Sequence, residues 1–203
     1  MVIEKWIGRG VKPMKANVRG QMTLPSFFWA TEREWRQAHE TLAYLFDRYG
    51  PVADPVRLFA GQARQGLEVL FPMFDRFAEA VCPDCDSICC LKARVDYNFT
   101  DLVFMHALGL TPPPRQIRER EDQPCRYLSP AGCTLPRILR PFVCTWYFCA
   151  PMLELYRRLP PRTQRMRSAL MREVQRNRND MEAEFMRIVT GRDIQGLPYE
   201  VEA

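Results

Sequence analysis

Cys82-Pro83-Asp84-Cys85-Asp86-Ser87-Ile88-Cys89-Cys90 is the stretch on which the reading of this chain turns. It opens a region, Cys82 to Cys149, that holds all eight cysteines of the protein. The other four, Cys125, Cys133, Cys144 and Cys149, form a second group separated by 7, 10 and 4 residues. A cysteine set this confined is a metal site or a disulfide framework. Soft thiolates at short spacing suit zinc or an iron–sulfur cluster; magnesium and calcium want oxygen ligands. A disulfide between the sequence neighbours Cys89 and Cys90 would be strained, which favours metal.

Helical patterns flank this region on both sides. Upstream, Thr31-Glu32-Arg33-Glu34 fits a capping box with Thr31 as N-cap and Glu34 at N3. Trp35, Ala38, Leu42, Leu45 and Tyr49 then recur every three or four residues, one face of a helix that Gly50-Pro51 ends. Asp54-Pro55 reads as N-cap and N1 of a second helix. Its stripe is Phe59, Ala63, Leu67, Leu70, Phe74, Phe77 and Val81, and it keeps phase across Pro72, so a kink is expected there. This helix delivers the chain to Cys82. His39 reads as an ordinary helix histidine.

Between the two cysteine groups, residues 91–98 read as a short extended piece, and Thr100-Asp101 as the start of a helix ending at Gly109. His106 lies within that helix, where eight cysteines leave it little need to act as a ligand. Residues 111–124 carry three consecutive prolines and the charged run Arg115 to Asp122, read as a solvated surface loop. One turn of helix is expected around Arg137–Leu139, and a short helix near Leu153–Arg158. A long helix follows from about Thr163 to Thr190, with the stripe Met166, Leu170, Val174, Met181, Phe185 and Ile188 and with Gly191 as its stop. Strand signals are weak throughout.

The expected architecture is therefore mostly α, with helices packed around a loop-rich, metal-stapled cysteine cluster. It is organised as a single domain over 1–203. An arm covers 1–30, anchored by Trp6, Phe27, Phe28 and Trp29. A helical pair covers 31–81, the cysteine-cluster region 82–149, a basic C-terminal helix 150–190 and a tail 191–203.

Composition agrees with a folded core: 47% of residues are hydrophobic and 11% aromatic, so the core does not depend on disulfides. The N-terminus carries no apolar run of signal-peptide length, and no window approaches a bilayer span. The expectation is a cytoplasmic protein, without membrane contact, in a compartment that keeps thiols reduced. The net charge of +5 fits a solvated arginine-rich surface and is compatible with nucleic acid or an acidic protein partner.

Two metals fit the cysteines. Structural zinc usually takes paired CxxC knuckles, and only Cys82/Cys85 has that form. A cubane 4Fe-4S iron–sulfur cluster takes its four thiolates from less regular spacing. All eight cysteines, Cys82, Cys85, Cys89, Cys90, Cys125, Cys133, Cys144 and Cys149, are candidate ligands, in one site or two. Trp146, Tyr147 and Phe148 are placed to shield a cluster from water. Arg140 is placed to offset the charge of a four-thiolate site, or to form an ordinary ion pair.

These residues carry a resemblance. The chain resembles the YkgJ-type cysteine-cluster family, whose domain is a zinc- or iron-chelating CxxCxxCC domain. Cys82, Cys85, Cys89 and Cys90 match the first motif, with one extra residue before the double cysteine. Cys125-Arg126-Tyr127-Leu128, Gly132-Cys133, Arg140-Pro141-Phe142-Val143-Cys144 and Cys149 resemble its second half. The resemblance covers residues 82–149. The Cys85 to Cys90 spacing is also similar to the cysteine region of flagellin lysine N-methylase, which is associated with an iron–sulfur cluster. No Gly-rich loop for a methyl donor stands in this chain, and the methylase activity is not carried over.

Three functions follow as expectations. The first is a metal-binding protein with a Cys-ligated iron–sulfur cluster or zinc, in a small redox or accessory role. The second is a structural-zinc module that binds nucleic acid or an acidic protein through the arginine-rich C-terminal helix. The third is an iron–sulfur enzyme of protein or small-molecule modification. Whether the chain is an enzyme stays open; it has no Ser-His-Asp set, Walker loop or dinucleotide fingerprint.

Overall fold

A computed structural model of the chain describes residue 29 and residues 31–86, 88–92, 95–120 and 123–191. The structure is mostly helical. Helix α1 spans Glu32–Tyr49 and starts on the expected capping box. The Thr31 hydroxyl accepts the Glu34 N–H at 3.2 Å, and the Glu34 carboxylate accepts the Thr31 N–H at 3.3 Å. Trp35, Ala38, Leu42 and Leu45 are buried as the periodicity predicts, joined by Phe46. Gly50, at φ 45, ends α1 in a conformation that a side chain would strain.

A short 3-10 turn, Gly50–Ala53, leads into α2, Asp54–Val81. Its N-cap is Ala53, one residue earlier than expected, so Pro55 occupies the second helical position. The helix runs on past Pro72, which sits on the exposed face, opposite the buried row Leu67, Leu70, Phe74 and Phe77. The lost N–H therefore falls on the solvent side.

Helix α3, Cys89–Lys92, is a single helical turn where an extended piece was expected. Residues 95–98 carry no regular structure. Helix α4, Phe99–Ala107, is capped by Asn98, two residues before the expected start. Asp101 is its N3 residue and completes a second capping box. Downstream come a two-residue antiparallel hairpin, β1 Leu128–Ser129 and β2 Gly132–Cys133, and then the expected turn at Arg137–Leu139. Helix α5 is Val143–Trp146, α6 is Ala150–Arg157 and α7 is Pro161–Thr190. Gly191 closes α7 at φ 64, donating its N–H to the Arg187 carbonyl.

The main core is built by α1, α2, α4 and α7, with Val174, Met181 and Phe185 as the contribution of α7. Met166 departs from the expected stripe and is 56% exposed. The backbones of α2 and α7 approach closely at Gly66, where a Cβ would lie 2.5 Å from a Val174 methyl. A second apolar cluster joins the last turns of α2, through Leu70, Met73, Phe74 and Phe77, to Phe148, Met152, Leu155 and Tyr156 around α6. The two clusters thus brace α2 along its length and hold its C-terminal end against the segment that carries Cys149.

A buried ion pair ties α4 to α7. Arg178 donates to Asp101 at 2.5 Å, with side chains 3% and 6% exposed. The Arg178 guanidinium also lies over the rings of Phe142 and Phe104. Arg178 therefore belongs to the core and not to the basic surface its helix was expected to present. The expected N-terminal arm lies outside the described residues, apart from Trp29, which packs against the main core. The tail beyond Gly191 lies outside them too.

Candidate metal centre

The two cysteine groups converge. The backbone N–H of Cys125 donates to the carbonyl of Cys90 at 2.8 Å, joining segments far apart in the chain. Each cysteine is a free thiol. Cys82 is the C-cap of α2 and donates its N–H to Ala78, and Cys85 follows in a turn that donates back to the Cys82 carbonyl at 3.4 Å. Cys89 and Cys90 are the first two residues of α3. Successive residues of a helix point about 100° apart, so these two thiols face different sides of the turn. Cys149 caps α6, next to Phe148, whose ring packs 5.5 Å from that of Phe77 in the last turns of α2.

The second group is assembled by the hairpin and the turn after it. The register pairs Cys133 with Leu128, and Leu128 donates its N–H to the Cys125 carbonyl, which holds Cys125 and Cys133 on one side of the hairpin. Cys144 sits in α5 and is fixed from below. Phe142 donates its N–H to Asp101 at 3.1 Å, and the Tyr97 hydroxyl donates to the Leu139 carbonyl. Pro141 is fully buried between these anchors.

Burial and neighbouring thiols raise Cys82, Cys89, Cys90, Cys125 and Cys144. Burial raises the Cys82 thiol above its ordinary range, and Cys149 and Cys85 add to the effect while Arg137 opposes it. Burial also raises Cys89, with Cys149 its strongest thiol neighbour. Burial pushes Cys90 up to about 11, with Cys125 and Cys133 next in effect and then Cys89 and Cys82, so thiols of both groups act on it. Cys125 is raised by burial and by Cys133. Cys144 keeps some exposed surface, yet crowding around its thiol raises it as well, with Cys90, Cys133 and Cys125 next in effect. Deprotonating one thiol therefore costs more when its neighbours are already thiolates, and a bound cation relieves that cost.

Among the described residues, no three Cys, His, Asp or Glu side chains stand as a closed site for a single ion. The donor chemistry, soft and all-sulfur, suits zinc or an iron–sulfur cluster.

The positive charges nearby were only partly legible. Arg140 donates through Nε to the Leu135 carbonyl at 3.0 Å, and its charge favours the Cys144 thiolate. Arg118 lies in the run expected to be solvated, but the structure buries it, 2% exposed, together with Gln116 and Ile117. Gln116 accepts the Tyr97 N–H and donates to the Tyr97 carbonyl, and that two-way lock pulls the loop inward. Arg118 then donates to the Cys90 carbonyl at 2.9 Å, its charge favours the Cys125 thiolate, and its Nε has no acceptor. The polar run alone could not reveal this; the only hint was a lone Ile117 inside it. Of the expected aromatic shield only Phe148 is packed, against Phe74, Phe77 and Tyr156. Trp146 and Tyr147 are 42% and 50% exposed.

The two histidines pair with each other. His39 Nδ1 and His106 Nε2 lie 2.8 Å apart between α1 and α4, with their rings stacked. No family model, curated protein or solved structure matches this chain. Among the described residues no helix is long and apolar enough to cross a membrane.

Proposed function

We propose that this is a metal-binding protein whose cysteines ligate an iron–sulfur cluster, as in the YkgJ-type family it resembles, with Zn2+ as the competing metal. The observation that carries the reading is the convergence of two distant cysteine groups through the Cys125–Cys90 backbone bond, with every thiol free. An iron–sulfur cluster, when bound, supplies one-electron chemistry tuned by charge, hydrogen bonding and burial. The chain's own residues supply that tuning. Arg118 and Arg140 place positive charge beside the second cysteine group. Phe148 closes the apolar side next to Cys149.

The test is iron, zinc and acid-labile sulfide analysis, with a visible spectrum, on protein purified without oxygen. A brown protein with stoichiometric iron and sulfide supports the reading. A colourless protein that holds zinc and unfolds on chelation assigns the site to structural zinc. If neither metal is retained stoichiometrically, the reading is wrong.

A second reading, binding of a polyanion such as nucleic acid, has one observation in its favour. Arg162, Arg165, Arg172 and Arg176 are exposed on α7 without a carboxylate in ion-pair distance among the described residues. At about 100° per residue they fall on one face. Arg167 does not join them; its guanidinium lies over Phe148 and Tyr156, and it donates to the Trp146 carbonyl. A salt-dependent shift with RNA or DNA should disappear when Arg165 and Arg172 become Ala, and no shift at low salt refutes this reading.

A further inference from the structure

The excess positive charge of this protein sits in one stretch. Residues 154–176, which run from α6 into the first half of α7, carry seven arginines, two glutamates and no lysine, an excess of five that equals the net charge of the whole chain. Arg157 is paired with Glu154, and Arg167 is turned inward over Phe148. Arg158, Arg162, Arg165, Arg172 and Arg176 are exposed and stand in no ion pair among the described residues. Gln164 ties the corner between the two helices by donating to the Arg157 and Leu159 carbonyls at 3.2 and 2.8 Å, which holds Arg158 beside the first turn of α7. From there Arg162 to Arg176 follow the outer face of α7, opposite the buried Val174, Met181 and Phe185, over about 21 Å at 1.5 Å per residue. Ala169, on the same face, is exposed as well, so no bulky side chain interrupts the row there. Glu173, at its edge, is the one carboxylate between Arg162 and Arg176.

From this placement we propose that the α6–α7 corner and the outer face of α7 bind the phosphate backbone of duplex nucleic acid, without regard to base sequence. The proposal rests on the polyanion reading above and commits it to a rod-like duplex, to these five arginines and to backbone contacts alone.

Three observations favour this ligand. The first turn of α7 holds Arg162 and no acidic residue. A cation there opposes the helix dipole, so it stands where it costs stability until an anion neutralises it. The face exposes no aromatic side chain; the large exposed aromatics, Tyr44, Trp146 and Tyr147, lie on or beside α1 and α5. Single strands need such platforms to stack their bases, and this surface has none to offer. Met166 is the one large apolar side chain exposed on α6 and α7 among the described residues. A protein partner draws most of its affinity from several buried anchors, aromatic ones above all, and a lone methionine does not supply them. A duplex needs neither feature. It presents one phosphate charge per about 1.7 Å of its axis, and each planar guanidinium can take two phosphate oxygens at once.

The test is fluorescence anisotropy of the full chain with labelled DNA and RNA duplexes of several sequences, each about 20 base pairs long, over about 50 to 200 mM salt. Five phosphate contacts give a slope of about −4.5 in log K against log salt, a loss of about 500-fold across that range. Arg162→Ala, Arg165→Ala and Arg172→Ala should each flatten the slope by about 0.9, equally for every sequence. Circular dichroism should stay unchanged in these variants, with Tm the same or slightly raised. Arg48→Ala, on α1, should leave the slope as it is. An undiminished slope in the variant that combines the three α7 substitutions refutes this surface. Single strands or poly-glutamate bound as tightly as a duplex, or affinities that follow base sequence, overturn the proposal and leave the polyanion reading standing. No binding of any of these polyanions at the lowest salt overturns both.

Discussion

Replacing Arg178 with Met should destabilise the protein by about 3–5 kcal/mol, because it strands a buried carboxylate. The geometry sets this size. The Asp101 and Arg178 side chains are 6% and 3% exposed and 2.5 Å apart, so water cannot substitute for the lost partner. The Asp101 carboxylate keeps two backbone donors, the Asn98 and Phe142 N–H groups, which soften the loss. The contacts of Arg178 with the rings of Phe142 and Phe104 disappear as well. Against a typical total of roughly 5–15 kcal/mol the effect is large, and for a chain of this size it lowers Tm by about 10 °C. Burial already raises the Asp101 carboxyl, and Arg178 opposes that effect. Without Arg178 the folded-state pKa lies further above the unfolded value. The native variant then binds its proton more tightly than the unfolded chain does, so the cost is greatest at neutral pH and shrinks as pH falls through the raised value. Urea unfolding of wild type and variant at about pH 7 and pH 5 measures both effects. Adding Asp101→Asn to Arg178→Met should recover part of the loss, since no charge is then stranded. A neutral-pH loss below about 1 kcal/mol, or a loss that does not shrink in acid, would refute the reasoning.

The histidine pair makes stability depend on pH in the opposite direction, with stability lost in acid. Burial lowers His39 to about 4, with His106 adding to the effect, and burial lowers His106 to about 4. Each folded value lies below the unfolded value of 6.5, so the unfolded chain binds more protons between them. This contribution is fully present above pH 6.5 and is lost as pH falls towards 4, by about 2 kcal/mol per histidine at pH 5. His39→Leu combined with His106→Leu should flatten the acid limb of a stability–pH curve; an unchanged limb excludes the pair as its source. Gly66→Ala should cost about 1–3 kcal/mol from the clash with Val174, despite the better helix propensity of alanine, and Val174→Ala should relieve the clash in the double variant. Thermal melts of the three variants decide it. Thr31→Ala should remove the α1 cap at a cost of about 1 kcal/mol, and a cost near zero means the box does not hold that end.

How much was legible depended on whether the signal was local. The α1 capping box, the α7 stop at Gly191 and the buried rows Trp35–Ala38–Leu42–Leu45 and Val174–Met181–Phe185 arise from spacing and backbone chemistry within one helix. They were read correctly from those residues alone. The cysteine region is visible as a chemical set from residue type and spacing alone. The misreadings involve distant partners. The charged run around Arg118 looks solvated because nothing nearby says that Gln116 will lock onto Tyr97 and draw it inward. Arg178 looks like one more arginine of a basic helix until Asp101, from α4, lies beside it. Residues 91–98 were read as extended, but the chain first makes a helical turn at Cys89–Lys92.

The sequence by itself determined the helical character of the protein, the placement of its eight cysteines and the soft-metal chemistry they favour. Residue type and short-range spacing are enough for that. Tertiary structure alone decided which thiol keeps company with which, and which arginine loses its water. Both depend on groups that contact one another only after α2, α4 and α7 have packed, when the Cys125 N–H reaches Cys90 and Arg118 is shut in beside it. The energy of a buried charge or a thiol is set by those neighbours and not by its position in the chain.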